Sequence, residues 1–154
     1  MTIRKATSNE TAKILEHSLV VLKEASMGYV TPKKAKAIQH TESFISNGGY
    51  YLVCSEEEVI KGWIGLSNGM DYNTDEPIGF ISELFIIPTW RKQGIAEKLL
   101  REALVQFEKL GYERVQLNIY AGNKAKTLYE KIGFHDISTI MEKNINETQA
   151  NWTK

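Results

Sequence analysis

Between residues 83 and 110 the chain places two cations, a glycine and the start of an amphipathic helix in close succession. Leu84, Phe85, Ile86 and Ile87 form an apolar run of β-branched and aromatic residues that reads as a buried strand. Pro88 stops it, having no N–H to give a ladder. After a short polar turn, apolar residues return at helical spacing: Ile95, Ala96, Leu99, Leu100, Ala103, Leu104, Phe107 and Leu110. The first N–H groups of such a helix have no partner inside it and together carry about half a positive charge. Gly94 has no side chain, so a phosphate can approach those donors closely. Arg91 and Lys92 add positive charge at the same end. The chemistry that fits is the cradling of a diphosphate. The stretch is not a P-loop, since no Gly-Lys-Ser/Thr follows, and it lacks the glycines of Gly-x-Gly-x-x-Gly.

Other elements must hold that helix end in place. Residues 2–6 read as a short strand, and Thr7-Ser8-Asn9-Glu10 as the N-cap of a first helix running to about Lys23. Thr31-Pro32 opens a second helix, ended by Asn47-Gly48-Gly49. Residues 50–55 and 59–67 read as two strands of a hairpin turning at Glu56-Glu57-Glu58. A polar loop carrying Asp71, Asp75 and Glu76 then leads into the strand over 78–87. Gly111 closes the long helix, and Val115, Leu117 and Ile119 alternate as a further strand. Ala125, Leu128, Tyr129 and Ile132 share a face of a short helix ended by Gly133, with Phe134 placed to pack back on it. Residues 137–145 read as a last strand, and a polar tail over 146–154 follows. The order is β-α-α-β-β-β-α-β-α-β, in which the central βαβ unit makes two strands parallel.

Composition narrows the function classes. At 154 residues the chain reads as one domain over 1–145, with 42% hydrophobic and 25% charged residues. Nineteen basic residues balance nineteen acidic ones, so no net field recruits nucleic acid or anionic lipid. No apolar segment is long enough to cross a bilayer. Cys54 stands alone within Tyr51-Leu52-Val53-Cys54, which fits a core position and a reducing, cytoplasmic setting. His17 and His40 lack Cys or carboxylate companions at metal-ligand spacing, so no metal is expected.

Arg91-x-x-Gly94-x-Ala96 resembles the R/Q-x-x-G-x-G/A signature of the GNAT superfamily of N-acetyltransferases, in which the motif holds the pyrophosphate of acetyl-CoA. The preceding Glu83-Leu84-Phe85-Ile86 and the later Leu128-Tyr129-Glu130-Lys131-Ile132-Gly133-Phe134 resemble the same family at the expected separation. The resemblance covers roughly residues 2–145. It implies an α/β (α+β) fold with a mixed, strongly twisted sheet of six or seven strands, helices on both faces and central strands that splay apart. It also implies acetyl-CoA as cosubstrate. Little chain remains for a seventh strand, so the final strand is short, absent or supplied by a partner in a homodimer.

Acetyl transfer to an amine requires a neutral nucleophile, a donor aimed at the developing oxyanion and a proton for the departing thiolate. The resemblance assigns the general base to Glu83 and the proton donor to Tyr129. It places the backbone of Leu84, Phe85 and Ile86 along the pantetheine arm. Arg91, Lys92, Gln93, Gly94, Ile95, Ala96 and Glu97 would surround the pyrophosphate. Asn123 resembles an asparagine that contacts the cofactor arm, but it stands six residues before Tyr129 where the family's stands seven before. Asn118, near a strand position from which some relatives take their base, cannot serve as one. Tyr29, between the first two helices, is a candidate for acceptor contact, and the acidic loop at Asp71, Asp75 and Glu76 a candidate recogniser of polycations. The acceptor implied is a small-molecule amine, with a protein or peptide amine, or a non-catalytic acyl-CoA sensor, as alternatives.

Overall fold

The computed structural model describes residues 1–146. The elements run β1 (Thr2–Lys5), α1 (Ser8–Glu16), α2 (Ser18–Ala25), α3 (Lys34–Ser46), β2 (Tyr50–Glu56), β3 (Val59–Met70), β4 (Pro77–Ile86), α4 (Ile95–Lys109), β5 (Val115–Leu117) and α5 (Lys126–Ile132), with a 3-10 turn over Pro88–Trp90. The sheet has five strands in sequence order. β1 to β4 pair antiparallel, and β4 pairs parallel with β5 across the α4 crossover.

Alternation along the strands sends two sets of side chains to opposite faces. Leu52, Cys54, Ile64, Leu66 and Ile81 pack on one side against Leu99, Leu100, Ala103 and Phe107 of α4. Tyr51, Val53 and Trp63 pack on the other against Ile14 of α1, Val21 of α2 and Phe44 of α3. Helices therefore cover both faces, and Cys54 is sealed in the core. Gly79 is where α4 comes closest, since a Cβ there would lie 2.5 Å from the Phe107 ring.

Local signals behave as the residues dictate at some ends and not at others. Thr7 caps α1 in a reciprocal box: its Oγ1 accepts from the Glu10 N–H at 3.2 Å, and its own N–H donates to Glu10 Oε1 at 2.9 Å. The single helix expected to Lys23 is instead two. At His17 the backbone N–H bonds back to Ile14 at 3.0 Å, tightening the turn, and the imidazole lies 6.1 Å from the Trp63 ring. Thr31 caps nothing, because α3 starts at Lys34 behind an extended Lys33.

The strand expected over 137–145 is not formed. Residues 134–144 run as irregular chain, with Ile140 97% exposed. β5 offers only three residues of edge, and the apolar positions Ile137, Ile140 and Met141 break the period of two that would bury one face. Ile119 likewise falls outside β5. The sheet is thus five-stranded among the described residues, not six or seven. Apart from Asn146, the expected polar tail lies outside them.

Candidate functional site

β5 ends at Leu117, opposite Ile81, while β4 runs on to Ile86. Among the described residues, no strand therefore lies beside residues 82–86 of β4 on that side. The gap opens into a groove of about 1910 Å³ that extends from the start of α4, past this free edge, to α2 and α3. Leu84, Phe85 and Ile86 form its edge. Gly94, Ile95, Ala96 and Glu97 line one end, and Asn123 and Tyr129 stand on the far wall. The chain thus brings nearly every sequence-predicted site residue to one groove. Among the predicted catalytic and cofactor-binding residues Gln93 is the exception, exposed and outside its wall.

Gly94 caps α4 in the left-handed region at φ 77°, and a Cβ placed on it would meet nothing within 4 Å. Lys92 is also left-handed, at φ 63°, so the turn coils its amides around the free helix end. Open space, unpaired N–H groups and the exposed Lys92 coincide at this point, which fits a diphosphate. Arg91 behaves otherwise. Its Nε donates to the Ile86 carbonyl at 2.8 Å, its two terminal nitrogens clasp the Glu24 carboxylate at 2.6 and 3.1 Å, and the guanidinium lies 5.3 Å from the Phe85 ring. Its charge is already answered by α2, so it braces the end of β4. Glu97 is similarly engaged, by Lys131 at 2.6 Å and Arg101 at 3.4 Å. The Lys131 contact ties α4 to α5.

Gly65 and Leu66 of β3 pair with Glu83 and Ile81, so Ser82 is the extra residue of a β-bulge that turns β4 as it passes the groove. Beyond it, Glu83 points to the face occupied by α1 to α3. Its Oε1 accepts from the Tyr51 hydroxyl at 2.6 Å and its Oε2 from the Trp63 indole N–H at 3.4 Å. Burial pushes the Glu83 carboxyl up from the ordinary carboxylate range, and the two donors oppose that rise by favouring the anion. Burial also raises the Tyr51 phenol, and the neighbouring carboxylate raises it further, so Tyr51 remains the donor of the pair.

On the opposite wall, Phe134 returns its N–H to the Tyr129 carbonyl at 2.9 Å and sets its ring edge-on to Tyr129, 5.7 Å between centroids. Gly133, at φ 117°, makes that reversal possible. Burial pushes the Tyr129 phenol up to about 12, so it stays protonated at neutral pH. Among the described residues its hydroxyl has no hydrogen-bond partner, and it is not sealed from solvent. Asn123 has both polar atoms engaged: Oδ1 accepts from the Ala125 N–H at 2.9 Å and Nδ2 donates to the Ala25 carbonyl at 3.0 Å. It ties the loop before α5 to the end of α2.

Two expected recognition features are reassigned. Asp71 and Glu76 are both held by Arg114, at 2.8 and 3.0 Å, and Asp71 also accepts from Gln116 and from the Asn73 N–H. These acids fold their own loop rather than face the groove. Tyr29 donates its hydroxyl to Glu142 and rests against Tyr120, 5.9 Å between rings. The partners that matter at Glu83 and Arg91 were invisible to motif reading, because Tyr51 and Glu24 lie 32 and 67 residues from them in the chain. No group of His, Cys, Asp and Glu among the described residues is arranged to hold a metal. None of the described helices is long and apolar enough to cross a membrane.

A family model described as an acetyltransferase (GNAT) domain matches residues 20–148. A [Ribosomal protein bS18]-alanine N-acetyltransferase of Haemophilus influenzae is 35% identical over 52 residues, 34% of this chain and 36% of that protein. The matched stretch thus spans about a third of that curated relative's length. Among solved structures, a protein of Pyrococcus furiosus described as a candidate acetyl transferase superposes with a TM-score of 0.78 at 22% identity, covering 94% of this chain and 99% of the other. A protein of Clostridium acetobutylicum described as a predicted acetyltransferase, solved with acetyl-CoA, gives 0.71 at 18% identity over 96% and 97% of the chains. An aminoglycoside 6'-N-acetyltransferase of Acinetobacter haemolyticus gives 0.66 at 18% identity over 95% and 100%. At these identities the structural matches speak to the fold.

Proposed function

The chain belongs to the GNAT acetyltransferase family and is an acyltransferase, and on that premise we propose that it moves the acetyl group of acetyl-CoA to the primary amine of a small molecule. The observation that carries this reading is the free edge of β4 at residues 82–86, which opens into the same groove as the α4 N-terminus, Glu83 and Tyr129. Acetyl-CoA supplies an activated thioester. The chain's own residues do the rest. The α4 N–H groups and Lys92 hold the diphosphate, and the free edge of β4 over residues 84–86 holds the arm as a strand would, apart from the Ile86 carbonyl that Arg91 occupies. An N–H on that edge polarises the thioester carbonyl. Glu83 takes the proton of the attacking amine, directly or through water, and Tyr129 donates to the leaving sulfur. Asn123 and Arg91 contribute by fixing α2 against the two walls, since their polar atoms are already bound within the chain. The sealed, free thiol of Cys54 suits a reducing compartment such as the cytoplasm.

The test is a panel of amines with acetyl-CoA, followed by release of free CoA thiol. Small amines should be acetylated and short peptides should not. The partial likeness to an alanine N-acetyltransferase makes a peptide amine the second reading, and preferential acetylation of peptides would establish it.

Gly94→Val is the direct probe of the cradle. The left-handed φ adds strain of about 1–2 kcal/mol for a β-carbon residue, against typical domain stabilities of about 5–15 kcal/mol, so the protein should remain folded. The branched side chain fills the space beside the helix N–H groups, and calorimetry should show acetyl-CoA affinity reduced at least about tenfold, or 1.4 kcal/mol. Unchanged affinity in the folded variant would place the diphosphate elsewhere.

Tyr51→Phe tests how Glu83 is held. Removing a donor that favours the anion lets burial raise the Glu83 carboxyl further. A base must be ionised to act, so the acid limb of the kcat/KM profile should move to higher pH, with activity recovering on the alkaline side. An unmoved limb would leave Tyr51 as packing alone.

A further inference from the structure

Resting on the acetyltransferase reading above, we infer that the acceptor is a monoamine with an apolar, ring-sized body rather than a polycation. The part of the groove beyond Glu83 is lined by Phe44 and Tyr51, whose rings lie 4.8 Å apart, and by Phe80, Met70 and Tyr72. The neutral polar side chains of Asn47, Ser67, Asn68 and Ser82 lie between them. Tyr72 is 97% exposed, yet it sits on a loop that Arg114 pins through Asp71 and Glu76. A large aromatic left in water on a pinned loop, lining a groove rich in rings and free of nearby carboxylates other than Glu83, is suited to cover a bound ring.

Charge points the same way. Among the described residues three carboxylates line the groove, and two of them are paired with cations: Glu24 with Arg91 and Glu97 with Lys131. Glu83 is held by neutral donors and is the one of the three with no cationic partner among the described residues. Lys23 and Lys36 line the α2 and α3 side of the same groove. One carboxyl without a cationic partner matches one amine. A second or third positive charge on the acceptor would meet lysines or apolar rings and lose its hydration without compensation.

The experiment measures kcat/KM for 2-phenylethylamine, ethylamine and spermidine at low and high salt, with acetyl-CoA binding followed separately by calorimetry. The expected result is 2-phenylethylamine at least tenfold above both others, with little salt dependence. Tyr72→Ala, a fully exposed position whose loss does not threaten the fold, should narrow the preference for 2-phenylethylamine over ethylamine severalfold. If acetyl-CoA binds but spermidine is preferred, or all three amines react equally or not at all, the inference is overturned and the acetyl-CoA site stands. If acetyl-CoA does not bind, the acetyltransferase reading falls and the inference with it.

Discussion

Glu83→Gln should lower the acetylation rate at pH 7 by about 10²- to 10⁴-fold, the range of a positioned general base, while acetyl-CoA affinity stays the same. An alkylamine titrates near 10.4 and is almost wholly protonated at pH 7. The base therefore has a proton to remove before the nitrogen can attack. Burial raises the Glu83 carboxyl, and the Tyr51 and Trp63 donors oppose that rise by favouring the anion, the form that can take the proton. A glutamine carbonyl can still accept from the Tyr51 hydroxyl, so the fold and the groove should survive. The deficit should shrink as pH rises and the acceptor loses its proton unaided. A rate loss independent of pH would mean that Glu83 positions the acceptor and takes no proton from it.

Tyr129→Phe should lower kcat by about ten- to a thousandfold, at the lower end of general-acid contributions, with KM for acetyl-CoA little changed. The substitution removes one oxygen and keeps the ring, so the edge-on contact with Phe134 and the packing of α5 remain. Burial holds the phenol at about 12, so it carries its proton through the neutral range and can deliver it to a leaving sulfur. The effect should diminish with thioesters whose thiols are more acidic, since a better leaving group needs less help. Full turnover in the variant would make Tyr129 a core aromatic only.

Much of this site lay open in local pattern. The strand–turn–helix at Leu84 to Leu110 announces itself by a change of period from the apolar run to 3.6, and Gly94 at the junction marks the free helix end. Both are properties of neighbouring residues, and α4 and its left-handed cap follow from them. Gly133 with Phe134, the Thr7–Glu10 box and the burial of Cys54 are legible for the same reason. Where a local signal had to compete with packing, it lost. Thr31 and Pro32 have the chemistry to start a helix, but α3 begins at Lys34. The apolar residues over 137–145 suit a strand, but three residues of β5 give them no ladder.

The sequence by itself determined that an amphipathic helix with a glycine at its free end follows an apolar strand, and that Glu83 and Tyr129 flank it in the chain. Only the tertiary structure decided what those residues face. The β4–β5 pairing stops at Ile81 and Leu117, and that early end turns an ordinary parallel pair into a groove with a free backbone edge. The fold also chose partners: Tyr51 for Glu83, Glu24 for Arg91, Ala25 for Asn123 and Arg114 for the acidic loop. Each joins residues from distant parts of the chain, so no spacing rule can reveal it. Covalent neighbours set backbone preference and period, whereas which charge is answered and which stays free depends on the packing of separate elements.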